Sequence, residues 1–348
     1  MRHSTRPCVK YPAGLVLLAI SSLWIAANPA SNQTCTIITA AFDGKVLFAN
    51  NEDWHSPDPL IGFFPVSAEG FGSVHVGFRH SDGSIEFGGA MNEQGLAWDV
   101  NSLPKAVLNP HPERPYSHET DNYLSTITKD AATVEEAIRI AGDFDFGDAM
   151  SLQIHIADAS GDAVVISAGP DEEIGFTRKA AGDGYLVSTN FNLANPENGT
   201  KGWRYETATS MLEELSRSGE LSIESAGNIL EAVHLNNLTS YTLYSNVFDL
   251  KNGKIYLAYL SQYGEWVELD LAEELSRGER IVQMRDLFTA DTVDVGQAAY
   301  RRFETRFTMA KIAVVAAGLT LIAGMAVIVV KRLRRQRRLR RQSLGGEE

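Results

Sequence analysis

Hydrophobic and polar positions alternate with a period of two through much of the first half of the chain, and switch to helical spacing in later blocks. Residues 35–42 and 45–49 are β-rich runs on either side of Asp43-Gly44, a pairing that closes a tight hairpin. Residues 72–79 and 85–88 read as strands around Ser81-Asp82-Gly83, and Asn92-Glu93-Gln94-Gly95 suits a tight turn between two further strands. Residues 103–116 hold Pro104, Pro110, Pro112 and Pro115, which predicts an irregular loop able to line a pocket. Thr133-Val134-Glu135-Glu136 is a capping-box pattern that starts a helix through Ala141. Strands are expected at 151–158, 163–168 and 184–190, helices at 203–217 and 223–234, and strands again at 241–247, 254–260 and 266–269. The order strands, helices, strands, helices, strands suits packed sheets covered by helices, without the regular βα alternation of a doubly wound fold.

Residues 312–330 carry no charge, and as a helix they span about 28 Å, close to the thickness of a hydrocarbon core. Eight Lys and Arg follow between Lys331 and Arg341, which predicts a single membrane-spanning helix with a basic cytoplasmic tail at 331–348. The opposite end has Arg2, Arg6 and Lys10, an apolar run from Gly14 to Ala27, and small residues up to Ala30. That is the layout of a secretory signal peptide at 1–30, with 31–34 as a short propeptide. The expected domains are then an ectodomain at 35–290, a juxtamembrane linker at 291–311, the span and the tail. Removing the basic ends leaves a body with a net charge of about −22, which argues against nucleic acid as a partner.

Of two cysteines, Cys8 falls in the expected signal peptide, so a mature chain would hold Cys35 alone and no internal disulfide. If Cys35 becomes the first residue, its own α-amine lies beside the thiol. That amine titrates near about 8 and can accept the thiol proton. The hairpin also returns residues 50–53 to the level of Cys35, so that a carboxylate and the thiol can meet. No Gly-x-Ser-x-Gly elbow, phosphate-binding glycine loop or His-Glu-x-x-His occurs, and no histidine pairs with cysteine at zinc spacing. Neither a metal nor a cofactor is therefore expected.

Cys35-Thr36, Asn51-Glu52-Asp53, Met91-Asn92-Glu93-Gln94-Gly95-Leu96, Asp158–Asp162, Thr189-Asn190, Trp203-Arg204-Tyr205 and Val247–Lys254 occur in an order that resembles the choloylglycine hydrolase and penicillin V acylase family, with its related acyl-transferases. The resemblance runs from Cys35 to about Leu269. It implies an α+β fold, a four-layer αββα sandwich of N-terminal-nucleophile hydrolases, acting on linear amides. Carried over by position, Cys35 is the nucleophile and Asp53 holds the amine and thiol. Asn190 is the oxyanion donor, Asn101 a second donor, and Arg204 an electrostatic support. One departure is clear: the family pattern Arg-Asn-x-Asp is here Asn50-Asn51-Glu52-Asp53, which removes a cation from beside the thiol and should raise its pKa. His55 is the nearest candidate to compensate.

The expected protein is a single-pass, surface-anchored amidohydrolase that cleaves, or transfers, the acyl group of a small N-acyl amide. Its ectodomain would face outside the cell membrane. The alternative is a catalytically silent ectodomain of the same fold that binds a ligand or partner.

Overall fold

The computed structural model describes residues 35–344, apart from 56, 57, 69, 118–121, 180–182 and 199–200. The expected signal peptide and propeptide lie outside the described residues. Among the described residues fourteen strands form two fully antiparallel sheets. The first sheet has the order β10-β1-β2-β11-β12-β13, from Tyr185–Ser188, Thr36–Phe42, Lys45–Trp54, Tyr241–Asp249, Lys254–Tyr259 and Gln262–Asp270. The second has the order β14-β3-β4-β5-β6-β7-β8-β9. In that order its strands are Arg280–Gln283, Pro59–Phe64, Ser73–Arg79, Ile85–Asn92, Ala97–Val107, Ala149–Ala157, Ala163–Ala168 and Ile174–Arg178.

The alternation within each strand sorts side chains into layers. On β1 and β2, Ile38, Ala40, Leu47 and Ala49 point outward and pack with Ala208, Leu212, Ile229 and Leu230, which lie on helices α3 (Trp203–Ser218) and α4 (Ile223–Val233). On the second sheet, Trp98, Ile154, Ile156, Val164 and Ile166 pack with Tyr123, Ile127, Ala137 and Ile140 of α1 (Tyr123–Asp130) and α2 (Val134–Ala141). The remaining faces of the two sheets meet each other. There the Thr39 hydroxyl and the His155 Nε2 lie 2.9 Å apart, and Phe48 packs edge-on to the His155 ring. Each sheet thus has helices on its outer face and the other sheet on its inner face.

The β1–β2 hairpin forms as its sequence predicts. Asp43 and Gly44 both take positive φ, 53° and 72°, and the strands pair from Thr36↔Asn51 to Phe42↔Lys45. The capping box at Thr133 is present, with Glu136 N–H on the Thr133 hydroxyl at 3.2 Å and Thr133 N–H on the Glu136 carboxylate at 3.1 Å.

Three segments differ from expectation. Residues 103–107 extend β6 instead of opening the proline loop. Pro104 lacks a ladder donor, and it falls where the β6–β7 register shifts between Ser102 and Ala106. Helix α1, capped by Asn122 accepting from Ser125 N–H at 2.8 Å, has a Ser- and Thr-rich sequence that masks it. Strands β3, β9 and β14 are short or two-sided in burial and lack a clean alternation.

A short helix, α5 (Leu271–Ser276), follows the first sheet, and the last helix, α6 (Ala290–Leu344), takes in the residues expected as linker, span and most of the tail. By backbone contacts the chain divides between Phe303 and Glu304. Within the first unit, Tyr300 packs edge-on and Phe303 tilted against Tyr241, each at 5.5 Å between ring centroids, and the Tyr300 hydroxyl donates to His55 O at 2.9 Å. Folded packing therefore continues past residue 290. The rest of α6 contains a stretch long and apolar enough to cross a membrane, with 6% of it buried.

Candidate active site

Cys35 stands immediately before β1, opposite the β2 position of Glu52, and is fully buried. Its carbonyl oxygen accepts from Asn101 Nδ2 at 3.1 Å and from an Arg204 guanidinium nitrogen at 3.0 Å. The same Arg204 nitrogen donates to the Thr36 hydroxyl at 2.9 Å and lies 3.5 Å from the Asp53 carboxylate. The second terminal nitrogen donates to Asn190 Oδ1 at 2.7 Å. Arg204 lies in the first turn of α3, where a cation meets the positive end of the helix dipole. Contacts with one carboxylate and three uncharged oxygens offset that cost. Asp53 sits on the outward face of β2, and its other oxygen accepts from the Thr242 hydroxyl across the β2–β11 pairing.

All five residues singled out from the sequence therefore converge, although they come from just before β1, from β2 and β6, from just after β10 and from the start of α3. Two of them have donors already engaged. Asn190 gives Nδ2 to Ser102 O at 2.8 Å while Arg204 holds its Oδ1, so both ends of the amide are oriented. Asn101 spends Nδ2 on Cys35 O, and its Oδ1 accepts from Gln153 Nε2 at 3.2 Å. Asn101 thus holds the backbone of Cys35 in place. Gln153, which sequence reading passed over, also donates to Thr189 O at 2.5 Å and accepts from Leu193 N–H at 3.3 Å. Its signal was a polar residue on a strand whose apolar residues fall at the alternate positions. His55 is not part of the constellation and packs against Trp54 at 4.5 Å between rings.

The inward face beside the thiol holds a second group of polar residues. Asn50 and Glu52 project there from β2, and Asn246 and Tyr244 are their partners on β11. Asp99 comes from β6, across from His155 on β7. All five are at most 2% exposed. Both amide atoms of Asn50 and of Asn246, Glu52 Oε1, Asp99 Oδ2 and the Tyr244 hydroxyl have no hydrogen-bond partner. Asn50 lies near enough to steady both carboxylates, yet makes no hydrogen bond of normal geometry to either.

Electrostatics follow from this burial. The Cys35 thiol is pushed well up, first by burial and then by Glu52, Asp99 and Asp53; a hydrogen bond from Asp53 N–H opposes this only weakly. Burial raises Asp53 to about 7 against the opposing pull of Arg204 and Thr242. Glu52 and Asp99 are both raised by burial, and Glu52 raises Asp99 further. A cavity of about 390 Å³ borders the site at Asn190, lined also by Lys105, Ala106, Gly169, Phe191 and Asn192. A second, of about 370 Å³ and lined by Phe64, His75, Phe87 and Trp98, touches none of the five residues. Among the described residues no set of three or more His, Cys, Asp or Glu is arranged to hold a metal ion.

Comparison with known proteins agrees with this architecture. A conjugated bile acid hydrolase variant from Clostridium perfringens is similar over 71% of this chain and 96% of its own, with 15% identity and a TM-score of 0.55. Penicillin V acylase from Agrobacterium tumefaciens is similar over 71% and 90%, with 18% identity and a TM-score of 0.55. At such identities the likeness is one of fold. A search of curated proteins found no match. A family model for acyl-coenzyme A:6-aminopenicillanic acid acyl-transferase matches residues 40–262, a stretch that includes Asp53, Asn101, Asn190 and Arg204 and begins after Cys35. With more than half of its length matched, the chain belongs to the acyl-coenzyme A:6-aminopenicillanic acid acyl-transferase family, among the N-terminal-nucleophile hydrolases.

Proposed function

We propose that this protein is a membrane-anchored, extracytoplasmic hydrolase of linear amides, with Cys35 as its N-terminal nucleophile. The observation that carries this reading is the convergence of Cys35, Asp53, Asn101, Asn190 and Arg204 from five parts of the chain onto one buried point. In this reading, processing before Cys35 frees an α-amine, and Asp53 holds it. The amine takes the thiol proton, the sulfur attacks the amide carbonyl, and a tetrahedral intermediate forms. Asn190, oriented at both ends, offers Nδ2 to the oxyanion by exchanging Ser102 O for it. The C–N bond breaks as the α-ammonium returns its proton to the leaving amine. Water then adds its hydroxyl to the thioester carbon while the α-amine takes its proton; the C–S bond breaks, the sulfur receives that proton, and the free acid departs with the thiol restored. An amine in place of water gives acyl transfer by the same steps. Arg204 and Asn101 act on the chemistry by pinning the Cys35 carbonyl.

The apolar stretch of α6 and its basic flank support anchoring of the catalytic unit outside the cell membrane. The test is the N-terminal sequence of protein recovered from its native membrane, together with turnover of a panel of N-acyl anilides and of penicillin V. A start at Cys35, with activity lost in Cys35→Ala while the circular-dichroism spectrum is kept, is the expected result. A start upstream of Cys35, or equal turnover by Cys35→Ala, overturns the reading.

A further inference from the structure

Two carboxyl groups, two amides and a phenol share the sheet–sheet interface beside the thiol, and the mechanism above uses none of them. Glu52 stands opposite the thiol-bearing residue across the β1–β2 pairing, and its carboxyl acts on the thiol. Glycines make room for the acids. A Cβ on Gly89 would come within 2.3 Å of Asp99 Oδ2, and one on Gly88 within 3.3 Å of Glu52 Oε2. Among the described residues neither acid forms an ion pair, and Arg204 serves Asp53 from the opposite face of the sheet. Seven buried polar atoms on one patch lack hydrogen bonds, where folded proteins ordinarily leave only a few per hundred residues. Leaving one such group unsatisfied costs about 1–3 kcal/mol in other proteins, so a patch of seven indicates a ligand-facing surface.

The ligand chemistry follows from the donors and acceptors. The unpartnered acceptors are Glu52 Oε1, Asp99 Oδ2, two amide oxygens and the phenol oxygen, and the charge they can present is that of two acids. A group with several N–H donors and a positive charge satisfies most of them at once. An anion would meet two acids, and an alkyl end would strand the polar atoms. The patch also adjoins the sulfur, and the part of an amide that stays bonded to sulfur after the amine leaves is the acyl group.

The geometry points to Glu52 and Asp99, helped by Asn50, Asn246 and Tyr244, as the binding site for a protonated amine on the acyl group of the substrate. This inference rests on the hydrolase reading and narrows it to amino-acyl amides. It makes the substrate supply the positive charge that the thiolate needs. A bare thiol among three acids is held protonated, and the bound ammonium offsets that field at the moment of attack.

The experiment uses the full-length mature protein in detergent and three p-nitroanilide series of matched length. Their acyl chains end in ammonium, in methyl or in carboxylate. The ammonium series is expected to lead the methyl series by about tenfold or more in kcat/KM, with the carboxylate series lowest. In Glu52→Gln and in Asp99→Asn that preference should shrink to within about threefold, with the circular-dichroism spectrum and melting temperature as the check on folding. A separate binding arm uses Cys35→Ser protein and free ω-amino amides against their methyl-terminated counterparts, followed by calorimetry. Turnover led by methyl or carboxylate chains overturns the amine site and leaves the hydrolase reading standing. Binding of the amine, abolished by Glu52→Gln, with no anilide hydrolysed by the wild type, keeps the amine site and removes the hydrolase reading. Equal binding of amine and methyl compounds overturns the site outright.

Discussion

At the scale of single residues, Arg204 and Glu52 decide most. Arg204 satisfies four acceptors with two nitrogens, a pattern that depends on the planar fork of a guanidinium. Arg204→Lys keeps the charge and loses the second contact to Asn190. Its kcat should fall on the order of tenfold to a hundredfold with a smaller change in KM, since misplaced groups slow the chemical step more than binding. A KM increase alone would place Arg204 in substrate binding instead. Glu52 carries a prediction about stability. In the unfolded chain it titrates near 4.5, and folded it keeps its proton to higher pH. Between those values the native state binds more protons than the unfolded one, so stability falls as pH rises through the window. Glu52→Gln has no such loss. The difference in Tm between the variant and the wild type should grow in the variant's favour from about pH 5 upward, by differential scanning fluorimetry. A difference independent of pH would mean that Glu52 is ionised in the fold throughout.

At the scale of elements, the β5–β6 turn joins the second sheet to its helices. Asn92 accepts from Gln94 and Leu96 N–H at 3.1 and 3.0 Å, and donates to Thr128 O and Ala131 O at 3.0 and 2.8 Å. One side chain thus shapes the turn and caps the end of α1. Asn92→Ala leaves these buried partners unmatched and should cost about 2–4 kcal/mol of unfolding free energy in urea melts. Gly95 in the same turn has φ of 81°, and a Cβ there would meet Leu250 O at 2.3 Å. Gly95→Ala should destabilise by a comparable amount, because backbone strain and a backbone clash add. A loss under about 0.5 kcal/mol for both would mean that the turn rearranges without cost. These elements were partly legible beforehand. Asn92-Glu93-Gln94-Gly95 announces a turn, and Thr133 with Glu136 announces a helix start, because capping and turn chemistry act over three or four residues. Helix α1 was not legible, since its β-branched residues are held helical by Trp98, Phe144 and Phe146 from distant parts of the chain.

At the scale of the whole molecule, the sequence reading ends the ectodomain at 290, whereas folded contacts continue to Phe303. A chain truncated after Phe303 should stay folded and soluble. One truncated after Thr289 loses the packing of Tyr300 and Phe303 on Tyr241 and should be less stable by about 3–5 kcal/mol in denaturant titration. Equal stability of the two would make the start of α6 dispensable to the fold. Flotation of the full chain with liposomes, and its absence after truncation at Phe303, checks the anchor.

What the sequence by itself determined is whatever local chemistry encodes: the Asp43-Gly44 hairpin, the capped helix at Thr133, the uncharged stretch at 312–330, and the residue types of an acyl-transfer site. The family's motif order added the names of Cys35, Asp53, Asn101, Asn190 and Arg204. Only the tertiary structure decided what those residues touch. Alternation along a strand tells which residues share a face but not which face meets the other sheet. Asp53 and Glu52 are neighbours in sequence, yet one turns to Arg204 on the helix side and the other to Asp99 between the sheets. That division arises because two sheets pack face to face, and burial on the inner side, away from water and from Arg204, gives the acids beside Cys35 their raised proton affinity.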